Sequence, residues 1–354
     1  MLQKNRFVVY GGTGNHRFDA AVLRLVNNVT NLGLGFSHCW HNTWPDGEPG
    51  FRMENPQAIK GRHALIFSCP VNHKLVSELK DLLTACKHQY GATSVTAVLS
   101  FLRFRRQDHE EFEHEITRLR WFIRDLKHWG ADALVVCEPH SLENTLKYCA
   151  EFGLKLHLSD PTRLFAEAIA SVVQTLGGQE KVRVYSPDLG SIERSLALAK
   201  LLGVGVLATP KRRINTRVEL VDGEDFLRVA RKNFGTEVPI SCDLHDLSGL
   251  HLFMRDDEID SGSTAVTTVR RLHEVNAQSV NLITTHPVCS RGWKMRFFPE
   301  GEQQPFANIW LGNTRPRGDG ETDYEGSTGG RIQEVDIAPA VAGTLSEVLS
   351  QLAG

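Results

Sequence analysis

Leu250-His251-Leu252-Phe253-Met254-Arg255-Asp256-Asp257-Glu258-Ile259-Asp260-Ser261-Gly262-Ser263-Thr264 is the stretch on which the reading of this chain turns. The apolar run Leu250 to Met254 has the character of a strand buried on both faces, and it leads into paired acids. A small-residue turn with hydroxyls follows, and then a helix from Ala265. Strand, turn and helix in that order form half of the unit from which parallel sheets are built. Turn amides and hydroxyls at a helix N-terminus suit a phosphomonoester, while the acids before them suit sugar hydroxyls or a metal-bound ligand. An acidic surface turn with a Ser/Thr cap reads the same in isolation.

Outward from this stretch the same alternation repeats. Strand candidates are Arg6 to Tyr10, Ala64 to Ser68, Ser94 to Leu99, Ala133 to Cys137, Val182 to Tyr185, Leu250 to Met254, Ser279 to Thr284 and Ala307 to Leu311. Between them Ile116, Leu119, Ile123 and Leu126 share one face at helical spacing, as do Ile192, Leu196 and Ala199. The expected class is α/β, with mostly parallel sheets flanked by helices. Val9-Tyr10 before a Gly-rich turn and a helix is echoed by Val184-Tyr185 before Ser186-Pro187-Asp188-Leu189-Gly190 and another helix. The 354 residues suit two similar domains in tandem, at about 150 residues each. The boundary is expected near Ser159 to Arg163, with Asn313 to Arg331 a mobile loop and Ile337 to Leu352 a closing helix.

Composition excludes several classes. Lys plus Arg number 40 against 42 Asp plus Glu, a formal charge of −2, so no global field draws the chain to nucleic acid or an anionic membrane. No run of 18 apolar residues offers a membrane span, and the opening residues show no secretion signal. The seven cysteines are odd in number and never spaced as Cys-x-x-Cys, which reads as reduced core thiols in a cytoplasmic protein.

Three local patterns take bland readings. Gly11-Gly12-Thr13-Gly14-Asn15 fails both dinucleotide and Walker spacing and reads as a tight strand-to-helix turn. Cys242-Asp243-Leu244-His245-Asp246 reads as a polar loop, and the acidic run His109 to Glu115 as a helix N-terminus.

Reading outward from Leu250, Val184-Tyr185-Ser186-Pro187-Asp188-Leu189-Gly190-Ser191-Ile192-Glu193-Arg194 and Leu207-Ala208-Thr209-Pro210-Lys211-Arg212-Arg213 resemble successive signatures of the ribose-phosphate pyrophosphokinases. Further matches lie in order at Trp44-Pro45-Asp46-Gly47-Glu48, Arg106-Gln107-Asp108, Glu138-Pro139-His140-Ser141, Gly312-Asn313-Thr314 and Ile337-Ala338-Pro339. The resemblance spans Val8 to Leu352. It implies two tandem phosphoribosyltransferase-like domains, 1–160 on the ATP side and 161–336 on the ribose 5-phosphate side, with 337–354 as a closing helix. It also implies transfer of the β,γ-diphosphoryl group of ATP to the anomeric hydroxyl of ribose 5-phosphate.

Under that resemblance Lys211 and Arg213 are the cations that meet the charge building on the phosphoryl oxygens. Trp44, Asp46, Glu48, Arg106, Gln107 and Asp108 fall where the family binds ATP, with Trp44 standing in place of a Phe. Asp256, Asp257, Asp260, Ser261, Gly262, Ser263 and Thr264 take the sugar phosphate. His140 and Asp188, each just after a strand, match metal ligands for Mg²⁺, with Mn²⁺ as a second choice, and would face one another across the domain cleft. A homo-oligomer, dimer or hexamer, with a shared ATP site is implied as well.

The chain departs from the family pattern at Glu138, where Asp is usual, at Ser263, where Gly is usual, and at Glu258, a third acid. The stretch from 218 to 249 is longer than most members need. These departures keep open a catalytically silent regulatory paralogue and an enzyme for another sugar phosphate, while a phosphoribosyltransferase would leave the N-terminal half without a purpose.

Overall fold

The computed structural model describes residues 3–110, 112–214, 217–220, 222–234, 237–316 and 330–353, with only the backbone described for 211–214, 217–220, 233–234 and 353. Among these the chain divides into two compact units, one holding residues 3–160, 314–316 and 337–353, the other 161–313 and 330–336. Most of the Pro/Gly-rich loop expected after Asn313 lies outside the described residues.

The first unit is built on a six-stranded sheet in the order Phe36–Ser37, Phe7–Gly11, His63–Ser68, Ser94–Leu99, Ala133–Cys137 and Lys155–Ser159. Every neighbouring pair is parallel. Helices cover both faces of such a sheet, which is why its inner strands are almost wholly apolar. One face packs Ile66, Ala97 and Val136 against Leu82, Phe122 and Ile123 from the covering helices. The helix Ala338–Ala353 lies against the helix His16–Thr30 and the two outer strands Ala133–Cys137 and Lys155–Ser159. An antiparallel hairpin, Cys39–Thr43 with Pro49–Met53, forms a separate two-stranded sheet.

The second unit repeats the plan with seven parallel strands, ordered Ile240–Ser241, Gly205–Ala208, Val182–Ser186, His251–Ile259, Ser279–Pro287, Ile309–Gly312 and Ile332–Val335. A second hairpin, Lys211–Ile214 with Arg217–Leu220, follows the strand Gly205–Ala208. The fold class is therefore the α/β doublet expected from the sequence.

Three local expectations are corrected. The strand expected to end at Met254 runs to Ile259, because Ser279–Pro287 extends equally far beside it and pairs Asp256 with Thr284 and Glu258 with His286. The acids thus sit in a strand rather than a turn. Ile116 does not join the face of Leu119, Ile123 and Leu126, since the helix begins at Arg118 and Ile116 is 64% exposed. In the acidic run, residues 109–110 and 112–115 precede that helix without regular structure, mostly as turns and bends, instead of opening it. The segment from 218 supplies the helix Gly223–Phe234 and the edge strand Ile240–Ser241. Beyond it Asp243 and Asp246 accept from the backbone amides of His245 and Ser248, so this stretch is a self-capped loop.

Candidate active site

Arg106, Gln107, Asp108 and His140 in the first unit, and Asp188 and 260–264 in the second, follow parallel strands at their carboxyl ends, where open α/β sheets bind their ligands, whereas Trp44, Asp46 and Glu48, and Lys211 and Arg213, belong to two separate hairpins. In the second unit, Asp188 follows the strand Val182–Ser186 and caps the short turn Leu189–Ser191, its Oδ1 accepting from the Ser191 amide at 3.0 Å. Asp188 Oδ2 makes no hydrogen bond among the described residues. Ser191 in turn precedes the helix Ile192–Leu202, which carries Arg194 to the neighbouring strand. Arg194 Nη1 lies 3.8 Å from Asp256 Oδ1 and donates to Asp257 Oδ1. Asp256 Oδ1 also accepts from the Asp257 amide at 2.9 Å. Burial pushes the Asp256 carboxyl well above the ordinary aspartate range, and the Asp257 charge adds to this, while Arg194 opposes it. Arg194 is thereby the ionic partner of Asp257 and lies within reach of Asp256 as well.

The turn beyond Ile259 is shaped by Gly262. Its φ is +74°, and a Cβ there would stand 1.9 Å from Phe297 Cε2. Phe297 is fully buried and stacked on Phe306, with ring centroids 5.0 Å apart, so the ring cannot yield cheaply. Arg296 Nη1 adds a bond to the Ser261 carbonyl at 3.1 Å. Ser263 is the first residue of the helix Ser263–Glu274 and has no left-handed backbone to sustain, so its Cβ costs no strain. Ser263 and Thr264 are exposed, while Asp260 and Ser261 are half-buried. The position that requires glycine is 262, and glycine occupies it.

Lys211 and Arg213 belong to the strand Lys211–Ile214, opposite Leu220 and Val218, so this basic segment is a hairpin arm rather than a loop. Its backbone runs beside the turn Leu189–Ser191. Their side chains lie outside the described residues.

In the first unit, Trp44, Asp46 and Glu48 form the exposed tip of the hairpin. The tip is closed by bonds from the Trp44 amide to the Glu48 carbonyl at 2.8 Å and from the Glu48 amide to Asp46 Oδ1 at 3.0 Å. Arg106, Gln107 and Asp108 follow the strand Ser94–Leu99. Arg106 is exposed, and Gln107 donates to Glu115 at 2.9 Å. Asp108 is buried and accepts from Asn144 Nδ2 at 2.8 Å and His109 Nδ1 at 2.7 Å. Burial works against its charge, but the bonds from Asn144, His109 and Ser141 outweigh it and hold the carboxyl below its usual range. These bonds tie the 106–108 turn to the one carrying His140, which follows the strand Ala133–Cys137 and precedes the helix Leu142–Phe152. Within that second turn Glu138 is held at φ +34°, a sparsely populated conformation for a non-glycine residue.

The Gly-rich turn at 11–15 is filled from within. Glu78 Oε1 accepts from the Thr13 amide at 2.9 Å and Oε2 from Thr13 Oγ1 at 3.0 Å. A Cβ on Gly14 would sit 2.7 Å from the Cys69 carbonyl oxygen. It is a packed turn, as read from the sequence.

Four residues beside these candidates escaped the sequence reading of the site. Arg194 lay inside a quoted motif without a role. Arg103 and Arg105 flank Phe104 just before Arg106, with the Arg105 guanidinium 4.3 Å from the Phe101 ring centroid. Burial lowers the Arg103 pKa, and the nearby Arg105 and Arg118 charges reinforce the shift. Trp40, on the same hairpin as Trp44, is 53% exposed.

No family model matches the chain. It is 26% identical over 337 residues to a ribose-phosphate pyrophosphokinase of Sulfurisphaera tokodaii, covering 95% of this chain and 99% of that one. A protein of the same description from Aquifex aeolicus is 25% identical, covering 90% of this chain and 89% of that one. For one from Ralstonia nicotianae the figures are 22%, 98% and 96%. The phosphoribosylpyrophosphate synthetase structure from Mycobacterium smegmatis superposes with a TM-score of 0.74 at 20% identity, covering 98% of this chain and 99% of that one, which establishes a shared fold.

Proposed function

We propose, because this chain belongs to the ribose-phosphate pyrophosphokinase family, that it transfers the β,γ-diphosphoryl group of ATP to the anomeric hydroxyl of ribose 5-phosphate, releasing phosphoribosyl pyrophosphate and AMP. The observation that carries this reading is collinearity: the similarity to named relatives covers nearly the full length of both chains.

The first unit is the ATP side, with Trp44 stacking on adenine, Asp46 and Glu48 accepting from its exocyclic amine, and Arg106 contacting the triphosphate. Gln107 and Asp108 hold that turn against the one carrying His140. The second unit is the sugar-phosphate side. Asp256 and Asp257 accept from ribose hydroxyls, and the Asp260, Ser261, Gly262, Ser263 and Thr264 turn receives the 5-phosphate on amides at the start of a twelve-residue helix. Lys211 and Arg213 stabilise charge as the anomeric oxygen attacks the β-phosphorus.

The family works with metal-bound ATP. By the family resemblance His140 and Asp188 would hold a hard divalent ion such as Mg²⁺, or Mn²⁺; an imidazole and a carboxylate whose Oδ2 makes no hydrogen bond among the described residues suit mixed direct and water-mediated contacts. When bound, the ion supplies positive charge against the phosphoryl oxygens. A homo-oligomer, dimer or hexamer, in which the exposed hairpin tip completes a neighbouring subunit's ATP site, is part of the reading.

Phosphorus NMR of the purified protein with ATP, ribose 5-phosphate and Mg²⁺ tests it. AMP together with a new anomeric diphosphate is expected. ADP as product, or no turnover under conditions where the protein is folded, overturns it.

A further inference from the structure

We infer that Glu78 and His41 fix the attitude of the hairpin Cys39–Thr43 with Pro49–Met53, and so act as positioning residues for the nucleotide that its tip meets. The nucleotide part of this inference rests on the function proposed above. The holding of the hairpin does not.

A two-stranded hairpin is marginal in water without a surface to pack on. The arm Pro49–Met53 is held by apolar packing, with Met53 in the core and Phe51 against it, but in the arm Cys39–Thr43 only Cys39 is half-buried. The further attachments are polar. At the base, the Glu54 amide donates to the His38 carbonyl at 2.9 Å, and Tyr10 donates its hydroxyl to the Glu54 carbonyl at 2.9 Å. Within the arm itself, His41 Nε2 reaches Glu78 Oε1 at 2.9 Å. Side chains alternate along a strand, so the contact that turns His41 to the body turns its neighbour Trp40 the other way, where it is 53% exposed.

Glu78 is a demanding anchor. Its side chain is 4% exposed, on the helix His73–Thr84, and a carboxylate so far from water needs donors. Thr13 gives one to each oxygen, which already satisfies the turn at 11–15. The further bond from His41 is therefore not required to build the turn, and its effect falls on the hairpin. Asp19 lies buried close by, with Oδ2 lacking a partner among the described residues, and burial together with the Glu78 charge raises its pKa well above the ordinary value.

The test pairs amide hydrogen exchange of residues 39–53 with steady-state kinetics in His41→Ala and His41→Gln; Gln retains an N–H donor of similar reach. Removal of one charge-assisted bond is expected to speed hairpin exchange in His41→Ala by about tenfold or more, leaving the strands His63–Ser68 and Ser94–Leu99 unchanged. KM for ATP is expected to rise by about tenfold, with KM for ribose 5-phosphate and kcat at saturation within about threefold of the parent. His41→Gln is expected to recover most of both effects. Unchanged exchange overturns the inference whatever the kinetics. Faster exchange with an unaltered KM for ATP in an active enzyme overturns its nucleotide part. If the parent protein turns nothing over, the proposed function fails, and the exchange data still decide whether His41 holds the hairpin.

Discussion

Arg194 donates through Nη1 to Asp257 Oδ1 at 3.0 Å, with the two side chains 15% and 3% exposed. Charges taken this far from water are costly to strand singly, although replacing both can be neutral. Arg194→Leu is expected to destabilise the protein by about 3–5 kcal/mol in urea denaturation. Arg194→Leu combined with Asp257→Asn should recover at least half of that. A loss under about 1 kcal/mol would mean the pair is solvated in practice.

Gly262→Ala places a methyl group against Phe297 and forces a left-handed backbone. The backbone alone costs about 1–2 kcal/mol, and the overlap adds a similar amount. The melting temperature should fall together with affinity for ribose 5-phosphate, read by calorimetry. Phe297→Leu in the same chain should relieve part of the loss, giving a coupling energy above about 0.5 kcal/mol. Strict additivity would contradict the contact.

Asp19→Asn probes the buried carboxyl next to Glu78. Because its native pKa is raised above the ordinary 3.8, the folded state binds this proton more tightly than the unfolded one. The corresponding stability is complete below 3.8 and declines as pH climbs toward the native value, by up to about 1.4 kcal/mol per pH unit. Asparagine abolishes that decline, so the variant's advantage over the parent should grow between pH 4 and 8 in urea midpoints. Parallel curves would show that Asp19 is ionised in the fold.

Lys211→Ala is expected to lower kcat by about 10²–10³-fold while changing ATP affinity little, since its proposed contact strengthens only as charge develops in transfer. Equal losses in turnover and binding would remove it from the transition state.

The inner strands were readable because burial on both faces writes itself as an unbroken apolar run, as in Ala133–Cys137. Lys155–Ser159 escaped because, at a sheet edge, it is short and mostly not buried, with Lys155 and His157 interrupting its leucines, and Gly205–Ala208 because its opening glycine reads as a turn. Asp256 to Glu258 read as a turn because acids disfavour strands; pairing with Ser279–Pro287 overrides that preference. The candidate ligand-facing segments were legible as short collinear motifs. Arg194, Phe297 and the Glu78–His41 bond were not, since each acts through a neighbour remote in sequence that only the tertiary fold supplies.

The helix Ala338–Ala353 buries Val341, Leu345 and Leu349 in the first unit, yet it is encoded after the whole of the second. During synthesis, ribosomes deliver the N-terminal sheet long before the piece that seals its apolar flank. That flank stays bare while well over a hundred further residues emerge, so the opening half of the polypeptide depends on its own tail, or on a chaperone, to avoid sticking to other nascent chains.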